Sequence, residues 1–195
     1  IRLSLVGSEM CIRDRRWTRI EAAKRQLFYT LARLGLGPRP GEDGPRFELL
    51  ADLPGQAPVM TGHANGTITL NVVEADDAER ARRRQALHEP YRTLVGHLRH
   101  ESGHFFWDRL VVGAGRIEEF RRLFGDERQD YGQALQNYYA RNPMDEQWRD
   151  NFVSAYATSH PWEDWAESWA HYLHMVDLLE TAASYGTCIT CLLYT

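Results

Sequence analysis

The chain has 195 residues, of which 26% are charged and 43% hydrophobic, and a net charge of −4. That length suits one domain with a sizeable core. The mild acidity gives no electrostatic case for nucleic acid or an anionic membrane, and no apolar run is long enough to span a bilayer.

In chain order, the first segment stands apart. Residues 1–15, from Ile1 to Arg15, resemble translated sequencing-adapter read-through, and Cys191-Leu192-Leu193-Tyr194-Thr195 resembles the same thing at the other end. Residues 1–15 and 187–195 are therefore set aside as artefact or disordered ends, leaving 16–186 as the domain. The apolar stretch at the start is too short for a signal peptide. Cys11, Cys188 and Cys191 fall in or beside these ends, so Cys188-x-x-Cys191 has little weight as a metal or redox motif. The domain itself has no Cys, which fits a cytoplasmic protein.

Trp17 to Leu36 reads as an amphipathic helix with Ile20, Leu27, Leu31 and Leu34 inward. Gly35 to Pro45 is a Gly/Pro-rich connector. Phe47–Leu50 and Val59–Thr61 read as short strands. Gly66–Val73 alternates and is β-rich, with Asn65-Gly66 as a turn before it. These strands suggest a small sheet. It is either a plain structural hairpin or an edge to which a peptide adds as another strand. Ala75–Leu87 is a charged helix whose interleaved acids make its Arg run a solvated face.

A helix is expected next from about Glu89 to Leu110, with Pro90 in its first turn and Leu94, Val95, Leu98, Phe105 and Phe106 at helical spacing. It carries His100-Glu101-Ser102-Gly103-His104. In this H-E-x-x-H pattern, positions i and i+4 share a helix face, so both imidazoles can reach one ion while Glu101 holds a water beside it. Gly103 lowers helix propensity by about 1 kcal/mol relative to Ala, which implies close packing against the metal or a neighbouring backbone. The alternative is a buried helix whose two His make ordinary hydrogen bonds. His97 lies on the same face. It is roughly 10.5 Å along the axis from His104, so it reads as a surface or outer-layer residue.

Gly113 and Gly115 mark a turn, and further helices are expected at Ile117–Phe124, Gln129–Arg141 and Glu146–Ser154. The last helix starts at Pro161, with acids in its first turn. Glu163, Glu167, His171 and His174 form one stripe; Trp162, Trp165, Trp169, Leu173 and Val176 form another. One face can coordinate and the other suits a core. A zinc site needs a third protein ligand and an open position, and a carboxylate at the head of this helix is the candidate. On its own, the polar stripe would be a solvated face.

Together these elements make a mostly helical α+β chain, and their wording resembles a known family. Tyr91-Arg92-Thr93-Leu94, His100-Glu101-Ser102-Gly103-His104, Phe124-Gly125-Asp126-Glu127 and the run from His160 to His174 look like the bacterial zinc-binding metallopeptidase family. The arrangement is similar to gluzincins, where H-E-x-x-H is completed by a Glu on a later helix. The resemblance covers about Trp17 to Gly186 and implies a zincin-like fold with one Zn2+. In gluzincins with a similar E-x-x-A-E run, the first Glu binds zinc. The metal ligands implied are His100, His104 and Glu163, with Glu167 and His171 behind them and Glu167 fixing an imidazole N–H. The same comparison places a Tyr seven residues before the Glu ligand, here Tyr156, as an oxyanion donor; a packed loop aromatic is the bland reading, and His171 is the second choice of donor. Relatives carry a Cys-rich zinc ribbon before this region and more chain after it, so the resemblance also implies a piece of a longer protein.

The activity implied is zinc-dependent hydrolysis of a peptide or protein substrate, with Glu101 as general base and Tyr156 on the oxyanion. The alternative is a zinc-binding domain without hydrolytic activity, serving binding or regulation. Glu101 favours the enzyme, because a structural site does not need it. A third reading has no metal, only His in a helical core.

Overall fold

The computed structural model describes residues 2–38, 43–87, 93–141 and 146–187. The chain is α+β and mostly helical, with six α-helices and one three-stranded sheet among these residues.

Helix α1 (Arg2–Arg33) begins upstream of the Trp17 boundary, so the backbone from Arg2 onward is helical. Ile20, Ala23, Leu27 and Leu31 recur at three- and four-residue steps and are all buried, which puts one apolar stripe inward. The helix closes through Leu36 N–H donating to the Leu31 carbonyl at 2.8 Å, with Gly35 at φ +71° making the left-handed turn.

Strand β1 (Arg46–Leu50) runs parallel to β3 (Thr67–Asn71), and β2 (Gly62–Ala64) runs antiparallel to β3, giving the order β1-β3-β2. Asn65 and Gly66 both have positive φ, 48° and 77°, as a two-residue hairpin turn requires. The strand expected at Val59–Thr61 lies three residues later. The reason is local: Asp52 Oδ1 accepts from Val59 N–H at 2.7 Å, and the Asn71 amide donates to the Val59 carbonyl at 3.2 Å. Side chains occupy the backbone groups that a ladder would need. Beyond β3, Asn71 Oδ1 caps a 3₁₀ turn, Val72–Ala75, and ends the strand earlier than Val73.

Helix α2 (Asp77–Leu87) is capped by Asp76, whose Oδ1 accepts from Ala78 and Glu79 N–H. Arg16 on α1 pairs with that same Asp76 at 2.8 Å. Helix α3 (Leu94–Trp107) starts at Thr93, whose hydroxyl accepts from Gly96 N–H at 2.9 Å. Its cap is therefore later than the Glu89 start expected; Pro90, Tyr91 and Arg92 lie outside the described residues. One π turn, Asp108–Val112, prolongs it.

Helices α4 (Ile117–Phe124) and α5 (Tyr131–Tyr139) follow. The helix expected at Glu146–Ser154 is only a 3₁₀ turn, Gln147–Asp150: Asn151 leaves helical geometry at φ −130° and closes it. A second 3₁₀ turn, Tyr156–Ser159, leads into α6 (Pro161–Ser184). The α6 start is as expected, with Pro161 at the first position. The cap is an imidazole, His160 Nδ1 accepting from Trp162 N–H at 3.1 Å.

The core lies between α1, α3, α6 and one face of the sheet, built on Leu27, Leu31, Ile68, Leu70, Leu98 and Leu173. The tightest contact is α3 on α6. A Cβ on Gly103 would lie 3.0 Å from Ala166 Cα and 3.1 Å from Trp169 Cδ1. Trp165 Nε1 donates to the Gly103 carbonyl at 2.8 Å, and Trp169 Nε1 donates to Ser102 Oγ at 3.0 Å. Of the two reasons anticipated for this glycine, the neighbouring backbone is the one found. A half-buried ion pair, Arg99 with Asp177, joins the same helices farther along, and Thr30 of α1 donates to Asp177 at 2.7 Å.

Gly103→Ala adds about 1 kcal/mol of helix propensity, yet a methyl there meets backbone rather than a movable side-chain end. The expected net loss of stability is about 1–3 kcal/mol in a denaturant melt. A variant as stable as the parent would mean that α6 can retreat freely from α3.

Candidate metal centre

His100 and His104 stand one turn apart on α3 and point the same way. Their Nε2 atoms are 3.3 Å apart. Glu163, in the first turn of α6, brings its carboxylate to the pair, with Oε2 at 3.0 Å from His100 Nε2 and Oε1 at 3.6 Å from His104 Nε2. All three ligand atoms lie within 4.8 Å of one another. Glu163 is 1% exposed, and it sits at a helix N-terminus, where the dipole favours its charge.

The chemistry of this donor set fits a cation. His100 Nδ1 lies 2.7 Å from Glu167 Oε1, so that nitrogen carries a proton and donates to the carboxylate. In the neutral ring, Nε2 is then a lone pair. It faces a carboxylate oxygen, Glu163 Oε2, that is buried without an aligned hydrogen-bond donor among the described residues. Acceptors converging on one point need a positive charge between them. Two imidazoles and one carboxylate are ligands zinc takes, and they leave a position open.

Without metal, a proton takes that place. Burial works against a charged His100, but hydrogen bonds with Glu163 and Glu167 outweigh it and hold its pKa well above the ordinary value. Burial likewise opposes the charge on Glu163, yet His100 and His104 carry its pKa well below the usual carboxylate range. Glu167 also lies below that range, since its bond with His100 overcomes its burial.

A cavity of about 390 Å³ opens over the triad. Glu101 lines it beside the ligands and is 9% exposed. Burial raises its pKa, only partly countered by His100 and His104. Tyr156 lines the same cavity, its ring centroid 6.0 Å from that of His100, and burial pushes its hydroxyl pKa upward. The edge strand β2 forms another wall through Gly62, His63 and Ala64.

Two further histidines stand outside the triad. His171 Nδ1 sits 2.8 Å from the Glu167 carbonyl one turn up its own helix, and the ring does not line the cavity. It is two turns beyond Glu163, too far along α6 to face the open position. His97 is outside the triad, as expected, but it is not a surface residue: its Nδ1 is 3.5 Å from Oε2 of the buried Glu74.

Sequence reading missed Tyr131 and His63. Tyr131 donates its hydroxyl to Glu163 Oε1 at 2.7 Å, and the hydroxyl of Tyr156 bonds in turn to that of Tyr131. Partial enclosure of the hydroxyl end, then the charge of Glu163, raises the Tyr131 pKa, so its proton stays in place. His63 stacks on His104 at 6.5 Å between centroids, and burial followed by His104 lowers its pKa. Neither carries a sequence signal. Each is a lone polar aromatic in a short element, made relevant only by packing.

These side chains form a group that could hold a metal ion: H-E-x-x-H on one helix, with a glutamate from a second. The chain belongs to the family described as "Putative zinc-binding metallo-peptidase", whose model matches residues 13–193. It is 47% identical over 176 residues to an uncharacterized protein of Mycobacterium bovis and to uncharacterized proteins of two Mycobacterium tuberculosis strains. The match covers 87% of this chain and 50% of each relative, so the chain spans about half the length of the curated relatives it matches. No solved structure matches. No helix among the described residues is long and apolar enough to cross a membrane.

Zinc binding must displace the proton on His100. His100 has a raised folded pKa, so its stabilisation of the metal-free fold is full below about 6.5 and is lost as pH rises through the folded value. Glu163 has a depressed folded pKa, so its share is present above about 4.5 and is lost as pH falls through the folded value. Chelator competition should show zinc affinity weakening about tenfold per pH unit below the folded pKa of His100, as release of one proton demands. A flat profile would contradict this proton count. In the same assay, Glu163→Ala should abolish stoichiometric zinc, whereas Glu167→Ala should retain it with roughly 10–100-fold weaker affinity.

Proposed function

We propose that this chain is a zinc-dependent peptidase of the gluzincin type, on a zincin-like fold. The observation that carries the reading is a non-ligand carboxyl, Glu101, buried in the same cavity as an open His-His-Glu set. A closed structural site has no need of such a group.

When bound by His100, His104 and Glu163, one zinc ion would lower the pKa of a water and polarise the scissile carbonyl. Glu101 accepts the proton of the attacking water and passes it to the leaving nitrogen. Its burial-raised pKa suits both halves of that exchange, since it weakens the carboxylate's hold on its charge without abolishing it. Tyr156, kept neutral by burial, turns its O–H from Tyr131 to the developing oxyanion. Glu167 holds the His100 ring by its Nδ1 proton, so that Nε2 faces the ion. The substrate backbone adds along the outer edge of β2, whose other edge is taken by β3.

Glu101→Gln keeps shape and zinc but loses the base. Zinc content should match the parent, while cleavage of a mixed peptide library should fall by about 10²–10⁴-fold. Full activity with Gln at 101 would sink the general-base assignment.

A further inference from the structure

No residue of helix α5 is buried. It packs chiefly on the 3₁₀ turn Tyr156–Ser159. A nine-residue helix with so little apolar contact has little reason to hold its place by itself. What it does place is its first residue. Asp130 caps the helix by accepting from Gln133 N–H at 2.7 Å, which starts α5 at Tyr131. The Tyr131 ring then packs edge-on against His160, 5.2 Å between centroids, and near Trp162 at 6.1 Å. Its hydroxyl reaches across to Glu163 Oε1. His160 Nε2 meets the Gln129 carbonyl at 3.3 Å, which ties the start of α5 to the cap of α6.

The hydrogen bond falls on one oxygen of the carboxylate only. Oε1 is engaged by Tyr131, while Oε2 faces His100 Nε2 and has no aligned donor. A glutamate has rotatable bonds that would let it turn away from the His pair. A donor fixed on Oε1 removes that freedom and reserves Oε2 for an ion.

We propose that Tyr131 is the positioning residue for the third metal ligand, and that α5 is present to carry it there. The proposal rests on the reading of His100, His104 and Glu163 as a zinc centre. It makes one further statement about this chain: zinc occupancy is coupled to the docking of α5, because Glu163 would serve both the ion and the helix.

The test compares the full chain with its Tyr131→Phe variant. Phe keeps the ring contacts to His160 and Trp162 and removes the hydroxyl, which donates to Glu163 and accepts from Tyr156. Zinc affinity, read by competition with a chromophoric chelator, should weaken about 10–100-fold, while the melt of the metal-free protein stays close to the parent's. Hydrogen exchange across 129–139 should slow when zinc binds the parent and respond less in the variant. Equal zinc affinity in parent and variant would overturn the role of Tyr131 and leave the metal centre intact. Loss of metal-free stability with zinc affinity unchanged would make Tyr131 a structural residue only, which also overturns it. A folded parent that binds no zinc would overturn the metal centre and this inference together.

Discussion

Two helices must approach closely before side chains from both can share one ion. Here that approach is set by Gly103. With no Cβ, α3 lets the Ala166 backbone of α6 come within the distance a methyl would occupy. Trp165 and Trp169, stacked at 6.2 Å between centroids, then close the contact, donating their indole N–H groups to the Gly103 carbonyl and to Ser102 Oγ on α3. Gly103 lies inside the H-E-x-x-H run itself. The same turn that presents His100 and His104 on one face admits α6 on another, so Glu163 arrives at the ligands without a long reach.

The polar layer around the triad follows from that geometry. Glu163 and Glu167 stand one turn apart on α6 and meet opposite nitrogens of His100. One carboxylate joins the prospective ligands and the other sets the tautomer. Tyr131 and Tyr156 add hydroxyls from two elements that precede α6 in the chain. Burial makes each of these interactions strong and each unpaired acceptor costly. A cation, whether zinc or the proton on His100, is therefore an integral part of the arrangement.

Outside the centre, other polar pairs keep the two helices in register. Arg99 and Asp177 bridge α3 to α6, and Thr30 joins them from α1. Arg121 grips the buried Glu127 with two bonds, at 3.0 and 2.6 Å. Between them, Gly125 takes φ +98° next to Pro161, so the Phe124–Glu127 run secures the chain beside the start of α6. Residues read in the sequence as a family wording thus have a mechanical task in this fold.

Local rules were enough for much of this protein. Four-residue spacing put His100 and His104 on one face, Pro161 marked the start of α6, and Asn65-Gly66 marked the hairpin, because each depends on backbone geometry within a few residues. Of the paired stripes of α6, the apolar one packs into the core through Trp169 and Leu173, while Glu163 and Glu167 of the polar one face His100. Local rules misplaced β2 and lengthened the turn at Gln147–Asp150, where side chains of Asp52 and Asn71, or a single departure from helical φ at Asn151, overrode propensity. Proximity in space was beyond their reach. Tyr131 meets Glu163, His63 stacks on His104, and His97 turns to Glu74 only because helices and sheet pack as they do. The residue types were written in the chain; which of them share one buried charge was decided by tertiary contacts, since Coulomb and hydrogen-bond energies depend on distance and not on position in the sequence.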